Sequence, residues 1–182
     1  SLETGTPVYE NCFSRKSRGY SQSLTIHNTS NNDAVILIGA DESKGNAYYV
    51  KAGATFKIDS IYLFKSYIFA YAGNDWDDTL SLGTHYFNDV IPAAEIIGCF
   101  KQPCTNSSSL LTSPVNINMI SEINNNASQG RITDYKSIVI KLTETEGGYV
   151  YLKRVLQNSG NQKRSRQSTE SEAEPLVPVP EE

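Results

Sequence analysis

The sequence predicts an all-β fold, an antiparallel β-sandwich or jelly-roll of about seven or eight strands with long loops. Three observations carry that reading. Short apolar, β-branched and aromatic runs recur along the chain, each bounded by Gly or by Asn, Asp and Ser. Several of them alternate polar and apolar residues, the period of a half-buried strand. Eleven Tyr and six Phe, against one Met and one Trp, suit packing on a pleated surface. A length of 182 residues fits one domain and a tail.

The divisions follow from composition. Residues 1–22 form a polar N-terminal arm, with a basic cluster at Arg15, Lys16 and Arg18 read as a solvated loop and a short strand expected near Tyr9 to Phe13. Residues 23–157 form the β-sandwich domain. Residues 158–182 are a disordered tail or linker: a basic knot at Lys163 to Arg166, an acidic run and three prolines bury too little to offset ordering entropy. Its PLVPVP stretch suits an extended polyproline conformation, as a partner's ligand or as a spacer.

Within the domain, Ser23 to His27 alternates, with Leu24 and Ile26 on the buried side and His27 on the exposed one. Asn28 to Asp33 is a turn rich in Asx-type residues, and Ala34 to Ile38 is a continuous apolar strand, buried on both faces or central in its sheet. Two strands around one Asn-rich turn read as a hairpin. Tyr48 to Val50 and Thr55 to Ile58 are further strands, linked through Gly53, which is free to take positive φ. Asp59 to Lys65 is a corner, and Tyr67 to Tyr71 is an aromatic strand ending at Gly73-Asn74-Asp75-Trp76. Residues 88–135 look least regular, with a short helical turn over Asp89 to Ile97, Pro92 near its start, and Ser- and Asn-rich loops. Ser137 to Leu142 and Tyr149 to Val155 close the domain as a hairpin through TETEGG.

Those segments resemble an uncharacterised bacterial β-sandwich domain. The shared residues are the turn Asn28-Thr29-Ser30, the Y-V-x-A-G segment Tyr49 to Gly53, and the aromatic strand Tyr67 to Tyr71 followed by G-x-x-W at Gly73 to Trp76. Phe87 and the SIVIKL strand also fit. The resemblance spans most of residues 20–157; it departs at Leu63-Phe64-Lys65-Ser66, where such domains carry a Pro-Gly pair. It implies a compact β domain, often attached to other segments, and no known reaction.

Chemistry is sparse. No G-x-S-x-G elbow or phosphate-binding Gly loop occurs, and His27 and His85 are the sole imidazoles, too few for a convincing triad or zinc site. A hydrolase built on Cys99 or a Ser is the weakest reading. The mild net charge of −4 argues against nucleic acid as partner, and no apolar run reaches the length of a membrane span. Asp75, Asp77 and Asp78 beside Gly73 and Asn74 offer oxygen ligands for Ca²⁺, or merely a polar turn. Tyr67, Tyr71, Asp75 and Trp76 are the candidate ligand-binding residues: the rings form a strip for a sugar or partner, or they are core. Cys99 and Cys104, five apart around Pro103, suit a small-loop disulfide; the other reading is three reduced cysteines with Cys12. The chain opens at Ser1 without a leader pattern, so a leader has been removed or the sequence is a piece of a longer protein. An exported or cell-surface setting is favoured over the cytoplasm. Sequons at Asn28, Asn106 and Asn126 are those expected by chance in so Asn- and Ser-rich a chain.

The expected function is non-enzymatic: a binding or assembly module presenting a β surface to another protein. The alternative is a carbohydrate- or ligand-binding accessory domain using Trp76 and its Tyr and Asp neighbours.

Overall fold

A computed structural model describes residues 1–13, 22–39, 45–61, 63, 65–83, 95–104, 111–118 and 137–155. Nine strands are present among them: β1 (Gln22–Asn28), β2 (Asp33–Gly39), β3 (Gly45–Val50), β4 (Thr55–Ile61), β5 (Lys65–Gly83), β6 (Ile96–Cys104), β7 (Val115–Asn118), β8 (Ser137–Glu144) and β9 (Val150–Val155). They build two packed sheets. One runs β4-β1-β8-β9; the other runs β3-β2-β5-β6, with β7 also on β5. The all-β sandwich expected from the sequence is the fold. The tail assigned to residues 158–182 lies outside the described residues, as do the basic cluster at Arg15 to Arg18, residues 89–94 of the expected helical turn and the sequons at Asn106 and Asn126; Ile96 and Ile97, the end of that turn, open strand β6 instead.

The alternation of β1 turns Leu24 and Ile26 into the space between the sheets, where both are fully buried. Ala34, Ile36 and Ile38 of β2 meet them there, with Ile68 and Ala70 of β5 and Ile138, Ile140 and Leu142 of β8. The opposite side of β2 is buried too. Val35 and Leu37 pack in a second core with Tyr49, Tyr71 and Phe100, roofed by Val8, Tyr9, Cys12 and Phe13 from the N-terminal segment. That is why Ala34 to Ile38 reads as unbroken apolar sequence.

The Asn-rich turn corrects one expectation. β1 and β2 do not pair: β1 bonds β4 and β8, while β2 bonds β3 and β5. The turn is an arch between sheets, held by Asn28, whose amide nitrogen donates toward the carbonyls of Asn32 (2.8 Å), Lys51 (3.1 Å) and Val50 (3.2 Å). Its oxygen accepts the Ser30 hydroxyl at 2.7 Å. Asn28 is 1% exposed, so its sequon is a structural device. The Lys51–Ala54 link also crosses between sheets, with Gly53 at φ 71 as foreseen. The closing hairpin β8–β9 forms around the 145–149 turn.

Three further expectations fail. Trp76 does not end a strand: β5 continues to Gly83 because β6 pairs along its second half. Residues 88–135 are not merely loops, since β6 and β7 lie there and both bond the same edge of β5. Gly98 and Pro103 disguised β6 as loop; Pro103 sits on an edge where no backbone donor is required. The N-terminal strand is displaced. Tyr9 to Phe13 holds a 3₁₀ turn (Glu10–Cys12), whereas Gly5, Thr6 and Val8 bond the outer edge of β3 at Tyr49 and Ala47.

Candidate functional site

The long strand β5 positions every ligand-binding residue expected from the sequence, but the rings packed over it cover them unequally. Tyr67 is 42% exposed, whereas Tyr71 is fully buried beneath Phe100. The aromatic strip is therefore not a continuous surface. Trp76 lies half-buried among rings, 5.1 Å from Phe100, 5.6 Å from Tyr49 and 6.1 Å from Tyr9 between centroids. The contacts with Phe100 and Tyr49 are edge-to-face, the geometry the ring quadrupoles favour. Its indole Nε1 is buried without a hydrogen-bond partner.

Polar groups lock this cluster. The Tyr9 hydroxyl donates to the Gly98 carbonyl at 2.8 Å, and the Phe100 amide donates to the Tyr71 hydroxyl at 3.3 Å. The Tyr49 hydroxyl donates to the Asp33 carboxylate, whose other oxygen accepts the Ala52 amide at 2.8 Å. Burial pushes the Tyr71 phenol up to about 12 and raises Tyr9 and Tyr49 as well, with Asp33 adding to the shift of Tyr49. These phenols are structural: Tyr9 and Tyr49 donate, and Tyr71 accepts.

The three aspartates do not converge on a cation. Asp77 accepts the Thr79 hydroxyl (2.6 Å) and amide (2.9 Å) through one oxygen and meets Lys101 at 3.2 Å with the other. Those bonds from Thr79, then Lys101, hold its carboxyl down at about 2. Asp75 takes φ 56 within the strand, and no group of three His, Cys, Asp or Glu side chains suited to a metal exists among the described residues. Asn74 donates instead to the side chain of Asn32 at 2.8 Å, and the whole segment is strand, not turn.

The cysteines follow the reduced reading. Cys12, Cys99 and Cys104 are free. Five extended steps of about 3.3 Å set Cys99 and Cys104 roughly 16 Å apart, beyond the ~7 Å limit for a bridge. The odd spacing also sends them to opposite faces, Cys99 to the aromatic core and Cys104 to the core between sheets. Burial raises all three thiols, so none is poised as a nucleophile. His27 stands on the other sheet, hydrogen-bonded to Thr55 at 2.8 Å, and His85 lies outside the described residues. A cleft of about 120 Å³ beside Pro7, Phe13 and Tyr48 falls short of the roughly 300 Å³ at which ligand sites begin.

No protein-family model, curated protein or solved structure matches this chain. Among the described residues, no helix is long and apolar enough to cross a membrane.

What the sequence reading missed lies on β9 and at the end of the turn that leads into it. Tyr149, Tyr151 and Val155 are 52%, 43% and 40% exposed, half of the exposed large apolar side chains among the described residues. Tyr151, Lys153 and Val155 share the outward face of the strand that ends the four-stranded sheet. Register brings Lys141 of β8 beside Lys153 on that face. The signal was present in Y-V-Y-L-K-R-V, whose alternate residues are large and unsuited to burial together with Lys153.

Proposed function

We propose that the domain is a non-enzymatic binding or assembly module that presents the β9 end of its four-stranded sheet to another protein. The observation that carries this reading is the clustering of Tyr149, at the entry to the terminal strand, with Tyr151 and Val155 on it and Lys153 between them. Tyrosines at a sheet margin supply contact area at low entropic cost, and the margin itself suits strand addition. The rings around Trp76, by contrast, are engaged with one another, which weighs against the carbohydrate reading.

The test is a photo-crosslinking residue placed at Tyr151 and, separately, at Lys57 on the opposite margin. Capture of the same protein from 151 and not from 57, abolished by Tyr149→Ser with Val155→Ser, is the expected result. Equal capture from both positions, or none from 151, overturns the proposal.

A further inference from the structure

Lys141 and Lys153 stand directly opposite each other in the β8–β9 ladder, and His27 of β1 neighbours Lys141 on its other side. Like charges directly opposed destabilise a sheet. Other lysines avoid that cost: Lys51, Lys57 and Lys101 meet Glu3, Asp59 and Asp77 at 2.8, 2.8 and 3.2 Å. Among the described residues no carboxylate forms an ion pair with Lys141 or Lys153. The same face carries exposed Tyr151 and Val155. Its natural occupant is extended, acidic and partly apolar.

The chain contains such a segment. Residues 168–174 read S-T-E-S-E-A-E and run into P-L-V-P-V-P. Glu170, Glu172 and Glu174 recur with period two, so an extended backbone puts all three carboxylates on one face. No proline interrupts these seven residues, which leaves every backbone donor available, and Pro175 then ends any ladder. The twelve residues between Val155 and Ser168 span about 20 Å as a flexible linker, ample for the chain to reverse beyond Val155 and run back beside β9.

We infer that residues 168–174 dock antiparallel to β9 as an acidic fifth strand, with the three glutamates over Lys153 and Lys141. The inference rests on reading this face as a docking surface, and it makes the tail an intramolecular competitor for the partner. Attachment is electrostatic, since Glu, Ser and Ala are poor strand formers.

Carbodiimide coupling of the full chain, mapped by peptide mass spectrometry, tests the contact. Amide links should join Glu170, Glu172 or Glu174 to Lys141 and Lys153 several-fold more than to exposed Lys57, Lys65 and Lys101. They should fade near 1 M salt, where the screening length is about 3 Å. In a mixture of isotopically light and heavy protein they should remain within one chain. Lys153→Glu should abolish its link, and adding Glu172→Lys should restore one between the same positions. Equal yields across the lysines overturn the inference, as do links found only between light and heavy chains, which would mark a second copy as the occupant. Tail links without partner capture at 151 would sink the proposed function alone; capture without tail links would sink this inference alone.

Discussion

Gly98 and Trp76 fix each other's position: a Cβ on Gly98 would lie 2.7 Å from the indole Cζ2. Gly98 also sits at φ 95, outside the range that L side chains adopt readily. Gly98→Ala should therefore cost about 2–4 kcal/mol, adding backbone strain to overpacking of the ring. Denaturant unfolding followed by the emission of Trp76, the chain's single Trp, reads both the loss and the displaced indole. An unchanged midpoint would show that the ring is not held there.

The Asn28 arch makes a second prediction. Asn28→Ala removes the donor shared by Asn32, Lys51 and Val50 and the acceptor of Ser30 inside the protein. A loss of about 2–3 kcal/mol is expected, because unsatisfied buried carbonyls remain. Ser30→Ala should cost less, since Asn28 keeps its bonds to the carbonyls. Equal midpoints for wild type and Asn28→Ala would refute the arch as a stabilising element.

Both cores were legible in the alternation of β1 and the unbroken run of β2, because burial on one or two faces writes directly into sequence. The partner of each strand was not. Asn28 to Asp33 looks the same whether it turns within a sheet or arches between two, and only the distant Val50 and Lys51 carbonyls decide it. β6 was hidden for a related reason. Gly98 and Pro103 are strand breakers by composition, yet one makes room for Trp76 and the other lies on an edge. The candidate site suffered most: Tyr71 and Trp76 look alike as surface or core until Phe100 and Tyr49 are placed over them.

Alkaline pH should unfold the domain steeply. The folded state raises the phenols of Tyr9, Tyr49 and Tyr71, the last to about 12. A raised acid favours its neutral form, so the stabilisation is whole below the unfolded value of ~10 and is lost above it. Phenolate absorbance should divide into an early phase from exposed tyrosines and a late phase coincident with unfolding. A single smooth titration with the fold intact would contradict the burial of these rings.

Asp77 works in the opposite direction. Its folded value of about 2 lies below the unfolded ~3.9, so its contribution is present above pH ~4 and disappears as pH falls toward 2. The denaturant midpoints of wild type and Asp77→Asn should differ at neutral pH and converge across that window. A constant gap would assign the effect to something other than the carboxylate.

Thiol labelling should follow burial. Cys104, less buried than Cys12 and Cys99, should react first in the native protein, and the other two on unfolding. Mild oxidant should yield no Cys99–Cys104 peptide, and finding one would mean that β6 does not persist as a strand.

The hydroxyl of Tyr9 meets a carbonyl 89 positions away, and the Thr29 hydroxyl meets one 113 positions away. Neither layer can close while the chain is half made. During synthesis the first residues must wait, unsatisfied, until β6 and then β8 leave the ribosome. Such distant pairings fold slowly, on the scale of roughly milliseconds to seconds. Between emergence and closure, the nascent chain shows its valines and tyrosines to whatever is near.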